Sequence, residues 1–300
     1  MDRLETMRVF IAVAEAAGFA RAARTLGLSA PAVTRAVAAV EERLGVRLFQ
    51  RNTRQVRLTE AGERFLKDAK RILGELEDAE ASAAGSHGDP RGALAVTASV
   101  MFGRMFVAPV LMDFLDSHAG VTARLVLLDR VVNLIEEGFD VAVRIAHLED
   151  SSLSAQRIGV VRRVVVASPH YLARHGTPQL PADLRRHRAV LSSQVGAAES
   201  WSFPAAGGGT DVIDVPSQLV ANSAEVAIQA AIAGRGLTRV LSYMVAPAVR
   251  AGQLRVVLDQ YEPPSIPIHL VHAEGRHANA KIRAFVDFAA ARLRADAVLQ

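Results

Sequence analysis

Leu4, Met7, Phe10, Val13, Ala14 and Ala17 recur at helical spacing, which predicts an amphipathic helix near residues 3 to 17, ended by Gly18. A second, short helix fits Ala20 to Leu26, with Gly27 suited to its left-handed cap. Ser29 as N-cap and Pro31 in the first turn then open a third helix that buries Val33, Val37, Val40 and Leu44 before Gly45 stops it. Helix, glycine turn and helix, with a polar first turn on the second, is the helix-turn-helix pattern, here Phe19 to Ala38. Past Gly45, VRLFQRNTRQVRLT alternates enough for two short strands around a basic turn at Arg51 to Arg54, a wing.

The next pattern is a heptad. Thr59 is a candidate N-cap with Glu60 and Glu63 in the first turn, and Phe65, Ala69, Ile72, Leu76, Ala79 and Ala83 follow at alternating spacings of four and three. This predicts one helix of about 25 residues, roughly 37 Å long. Its seam has no evident core of its own, so a second copy of the chain is the economical partner. Packing onto its own C-terminal part is the alternative. Residues 85–92, GSHGDPRG, read as a turn-rich hinge.

From Ala93 the period changes. ALAVTAS, ARLVLLD, DVAVRI, VRRVVVAS and PIHLVHA read as strands. RMFVAPVLMDFLDSH (bent or restarted at Pro109), VVNLIEEG, SPHYLARHG, SAEVAIQAAIAG and NAKIRAFVDFAAARL read as helices. Strands alternating with crossover helices predict an α/β fold with mostly parallel sheets. Chain direction suggests two lobes, one near 93–161 with 267–300 and one near 162–266, crossed twice and enclosing a cleft. The expected division is a head at 1–58, a linker helix and hinge at 59–88, and a two-lobed domain at 89–300.

Charge sharpens this division. Residues 1–58 carry ten arginines against five acids, whereas the remaining 242 residues carry 25 basic and 26 acidic side chains. A basic head on a near-neutral body points to a polyanion partner, with a basic surface serving solubility alone as the plain alternative. The second helix of such a unit puts its N-terminal side chains, Ala30, Pro31, Thr34 and Arg35, into the major groove, where arginine can hold guanine bidentately. Arg51 and Arg54 in the wing would follow phosphates or enter the minor groove. The plain alternative is a three-helix cap with incidental arginines.

Other chemistry is thin. There are no cysteines, which removes thiol catalysis, disulfides and iron–sulfur clusters. The nine histidines show no zinc-ligand spacing, and the glycine runs at 207–209 and 234–236 lack a phosphate-loop lysine. No cofactor and no enzymatic activity are expected. Charged residues interrupt the N-terminal apolar stretch, so neither a signal peptide nor a membrane span is expected, and the reading is a cytoplasmic protein.

The run FARAARTLGLSAPAVTRAVAAVEERLGVRLFQRNTR resembles the winged helix-turn-helix of LysR-type transcriptional regulators, and the resemblance extends over essentially the whole chain. It is nearest to the subgroup whose effector domain reads DRVVNLIEEGFDVAVRIAHLEDSSLSAQRIG. It implies an N-terminal winged helix-turn-helix, a dimerising linker helix and a periplasmic-binding-protein-like effector domain of two lobes. It implies a bacterial regulator that binds double-stranded promoter DNA as a homodimer assembling to a homotetramer, with a small-molecule effector in the cleft and RNA polymerase as a further partner. Positions matching Pro31, Thr34, Arg35 and Arg54 would approach DNA. Two departures matter: Ala30 stands where many relatives have glutamine, and Ala20 where many have a hydroxyl that could cap the second helix. A different reading is a small-molecule binding module whose basic head serves only oligomerisation.

Ligands of open α/β folds sit at the carboxyl ends of strands, where helix N-termini offer unpaired N–H groups. That points to Ser99, Val100 and Phe102, to Asp129, to Arg144, and to Asn222 and Ser223. Ser99 also matches the family's small hydroxyl residue near the effector. Arg144 could hold a carboxylate, or close a salt bridge to Asp129 or Asp140. Asn222 and Ser223 could be helix caps, the expected task of Ser223. Trp201 and Phe203 could line the cleft or be plain core.

Overall fold

The structure is a computed structural model that describes residues 2–52, 55–83, 90–148, 153–192, 200–205, 207–272 and 279–300. The chain divides into two compact units, Met1–Gly88 and Asp89–Gln300.

The first unit holds α1 (Arg3–Ala16), α2 (Phe19–Leu26), α3 (Ala30–Leu44), an antiparallel hairpin of β1 (Phe49–Asn52) and β2 (Gln55–Leu58), and α4 (Glu60–Ala83). The caps follow local chemistry. Ser29 accepts from the Ala32 N–H, and Gly27 and Gly45 take the left-handed conformation that ends α2 and α3. At the end of α1 that conformation falls on Ala17 (φ 46°) instead of Gly18, which is extended. Gly18 also holds the N-cap of α2, with no side chain capping it, so Ala20 lies within the first turn and not at the cap. Phe10, Val13, Val33, Val37, Val40, Leu48 and Phe49 form the core.

The linker helix departs from expectation. Its first half packs within its own unit: Phe65 joins the head core with its ring 5.1 Å from Phe10, Ala69 and Leu73 are buried, and Lys70 pairs with Glu15 of α1 at 2.6 Å. The expected lack of a core for the seam is therefore corrected over this half. The side chains of Ala79 and Ala83, and the hinge residues 85–89, lie outside the described residues.

The second unit contains β3 (Gly92–Ala98), a continuous helical run of α5 (Val100–Phe102), a π turn (Gly103–Val107) and α6 (Ala108–Ser117), then β4 (Val121–Leu127), α7 (Leu134–Glu137), β5 (Val141–Ile145) and β6 (Ser154–Val161). It continues with β7 (Arg163–Ala167), α8 (Pro169–His175), β8 (Ala189–Ser192), β9 (Ser200–Pro204), β10 (Thr210–Asp214), β11 (Ser217–Ala221), α9 (Ala224–Ile232), β12 (Thr238–Leu241), α10 (Ser242–Arg250), β13 (Arg255–Val257), β14 (Ile266–His272) and α11 (Ala280–Arg294). One lobe is built on the sheet β4-β3-β5-β14-β6 and the other on β12-β7-β13, β11-β8 and β10-β9.

The sheets are mixed, where mostly parallel ones were expected. β3 pairs in parallel with β4 and β5, but β14 returns antiparallel between β5 and β6, and β7 is antiparallel to both neighbours. The cause is the double crossing. A chain that leaves the first lobe after β6 and returns as β14 enters its sheet from the opposite end. Apolar content on both faces still reads as in a parallel sheet. In β7, Val165 and Ala167 face one core while Val164 and Val166 face another. The two crossings are tied together by Arg162, whose Nη1 reaches both carboxylate oxygens of Glu262 at 2.9 Å.

Candidate DNA-reading face and interlobe site

The inner face of α3 is spent on packing, since Val33, Ala36, Val37 and Val40 are buried. Its outer face leaves Ala30, Pro31, Thr34 and Arg35 exposed, all in the first two turns. Thr34 Oγ1 donates back to the Ala30 carbonyl at 3.0 Å. The hydroxyl is thereby held, and its methyl group is left as an apolar contact. Arg51 lies in β1 with its side chain outside the described residues, as Arg54 is altogether.

The root of the wing is fixed by a residue that the sequence reading passed over. Glu41, on the buried side of α3, accepts from the backbone N–H groups of Leu48 (2.9 Å) and Phe49 (3.2 Å) and from Arg47 Nη1 (2.8 Å). Burial alone would raise its pKa, but the hydrogen bonds from Arg47, Leu48 and Phe49 more than reverse this and hold it below the usual carboxylate value. From the other side Thr59 Oγ1 donates to the Arg47 carbonyl at 2.7 Å and accepts from the Gly62 N–H at 3.0 Å. Any Cβ on Gly62 would collide with the Leu48 carbonyl, so this contact between α4 and the wing requires glycine. Recognition helix, wing and linker helix thus share one hydrogen-bonded junction.

In the second unit, the carboxyl ends of β3 and β4 bring Ser99, Val100 and Asp129 together. The Val100 N–H donates to Asp129 Oδ1 at 2.9 Å, so a carboxylate from the neighbouring strand caps the helical run. Gly103 permits this approach, because a Cβ there would run into Leu127 of β4. Tyr243, at the start of α10, sits behind this corner. It is fully buried, its ring lies 5.2 Å from that of Phe102, and its hydroxyl lies beside Ser99 and the Phe102 backbone with Asp129 nearby. Desolvation keeps that phenol protonated, far above its ordinary pKa. Between the lobes, Arg104 of the π turn donates to Glu225 in the first turn of α9 at 2.9 Å. Asn222 and Ser223 immediately precede α9; Ser223 holds the N-cap position but its hydroxyl makes no capping bond.

Several expectations are corrected. Phe102 is entirely buried in the core of the first lobe. Trp201 and Phe203, 7% and 2% exposed, belong to the core of the second lobe with Tyr171, Leu184 and Leu237. Phe203 is further covered by Arg239, 4.7 Å above its ring, whose pKa burial pushes down to about 10. Arg144 forms neither of the ion pairs considered: its Nη2 donates to the Val132 carbonyl at 2.6 Å, while Asp129 accepts from Val100 and Asp140 from the Ala95 N–H. The participants that sequence reasoning missed, Arg104, Glu225 and Tyr243, carry no local signal. They are distant in the chain and meet only through the double crossing.

Two family models match. "Bacterial regulatory helix-turn-helix protein, lysR family" covers residues 4–63, and "LysR substrate binding domain" covers residues 87–294. An HTH-type transcriptional regulator of Xanthomonas campestris is 36% identical, over 96% of this chain and 85% of its own length. CrgA, an HTH-type transcriptional regulator of Neisseria meningitidis, is 33% identical over 95% of each chain. The solved structure of CrgA matches with a TM-score of 0.62 at 32% identity, covering 96% of this chain and 98% of that one. The full-length Vibrio cholerae virulence activator AphB matches with a TM-score of 0.59 at 26% identity, over 96% and 98%. Among the described residues, no helix is long and apolar enough to cross a membrane.

Proposed function

The chain belongs to the LysR family of helix-turn-helix transcriptional regulators, with an N-terminal DNA-binding domain and a C-terminal effector-binding domain, and from this we propose how its residues divide the work. Residues 1–58 form the reading head, 59–88 the dimerising linker, and 89–300 the effector domain. Pro31, Thr34 and Arg35 enter the major groove with Ala30 beside them, and Arg51 and Arg54 of the wing run along the flanking phosphates or minor groove. The carrying observation is the two-faced α3, whose apolar side is buried while this set alone forms its exposed first turns.

Two heads act on promoter DNA as a homodimer within a homotetramer in the cytoplasm, with RNA polymerase as the further partner. Two-fold symmetry then calls for an interrupted palindrome. A small molecule held between the lobes by Ser99, Val100, Asp129, Asn222 and Ser223 changes the spacing of the heads by binding one arrangement better than another. Arg144, whose Nη2 is bound to the Val132 carbonyl, is left outside this set.

Arg35→Ala tests the assignment. Operator affinity, measured by fluorescence anisotropy, falls roughly 10- to 100-fold, the loss expected from about 1–3 kcal/mol for a base-reading arginine. The oligomeric state and thermal midpoint stay unchanged. Unaltered operator affinity would remove Arg35 from the reading face.

A further inference from the structure

Four side chains stand exposed in the first two turns of α3: Ala30, Pro31, Thr34 and Arg35. Three of them have no proton to give. Ala30 ends in a methyl group and Pro31 in a ring, and Thr34 Oγ1 spends its proton on the Ala30 carbonyl at 3.0 Å. A hydroxyl so held cannot donate to a phosphate, nor to O6 and N7 of guanine or O4 of thymine, all of which only accept. Thr34 still presents its methyl group and the lone pairs of Oγ1. Of the four, Arg35 alone keeps donors for a base edge, and no other polar side chain follows on α3 until Glu41.

Resting on the assignment of α3 as the recognition helix, we propose that Thr34 is a specificity-determining residue that selects thymine through its methyl group, in a half-site where Arg35 takes a guanine. Thymine alone among the four bases carries a C5 methyl group in the major groove, and a threonine methyl closes on it by excluding water. Ala30 and Pro31 extend that apolar surface, and neither can hold an adenine edge as asparagine or glutamine would. Sequence is then read by methyl contacts and one guanidinium, and the Thr34 hydroxyl serves the helix instead of the DNA.

The test uses the full-length chain, with affinity read by fluorescence anisotropy on a duplex recovered by in vitro selection with that chain. Copies of the duplex carry uracil in place of one thymine at a time, which removes only the methyl group. At one or more positions in each half-site the parent is expected to lose roughly three- to fivefold in affinity, the worth of one buried methyl group. Thr34→Ser, which keeps the hydroxyl, loses about as much on the thymine duplex and nothing further on that uracil copy. Thr34→Val, which keeps the methyl group, stays within about twofold of the parent. The reverse order, valine losing about tenfold and serine nothing, overturns the proposal and makes the hydroxyl the reader. A uracil loss that serine leaves intact at every position also overturns it, and moves the contact to Ala30 or Pro31. So does a parent indifferent to uracil throughout, a result that does not depend on how the variants fold. A parent that enriches no duplex overturns the recognition-helix assignment itself, and the proposal with it.

Discussion

Glu41 shows how one side chain sets a functional shape. Replacing it with alanine strands the Leu48 and Phe49 N–H groups in a buried place, which costs about 1–3 kcal/mol. Glu41→Ala is therefore expected to lower the head's stability by that amount in denaturant unfolding, with Glu41→Gln, which keeps an acceptor, in between. A change under about 0.5 kcal/mol for alanine would deny the junction its importance. Because its pKa is lowered on folding, Glu41 contributes stability above the unfolded carboxylate value that is lost as pH falls through the folded one, so the glutamine variant has a flatter acid limb.

His187 acts with the same sign in the second lobe. Burial, then the nearby His175, lower its pKa against the opposing pull of Asp183. Its neutral Nδ1 lies 3.3 Å from the Tyr171 hydroxyl, which accepts from the Arg188 N–H. The stability this gives is present above the ordinary histidine value of 6.5 and is lost as pH drops through the folded pKa. Between pH 7 and 5.5 the midpoint of this unit should fall, and His187→Asn should flatten that slope. A parent slope equal to the variant's would contradict it. Neither role could be read from the sequence, because an acid in a basic head and a histidine among nine look like surface residues until burial is known.

At the scale of elements, the sequence was most informative where local chemistry decides. Ser29, Pro31, Gly27 and Gly45 mark α2 and α3 because caps depend on immediate neighbours. It was least informative where distant segments decide. The antiparallel return of β14, the π turn at Gly103 and the burial of Trp201 all depend on contacts made far along the chain. The linker helix lies between these cases: its length follows from its period, but what covers its seam does not. Since Leu73 is buried within its own unit, Leu73→Ala should cost roughly 2–5 kcal/mol at any protein concentration. A loss that grows on dilution would instead place Leu73 against a second chain.

For the whole molecule, we propose that the excess positive charge of residues 1–58 meets DNA phosphates while the α3 face selects sequence. The expectation of a LysR regulator came from a long motif with fixed spacing and agrees with the family matches. The Asp129–Val100 and Arg104–Glu225 contacts came only from the fold. The most direct measurement is a footprint of the purified protein on the DNA immediately upstream of its own gene at about 50 and 200 mM salt. The expected result is protection of an interrupted palindrome that weakens steeply at the higher salt. Protection that ignores salt, or a folded oligomer that binds no segment in a genome-wide selection, would contradict it.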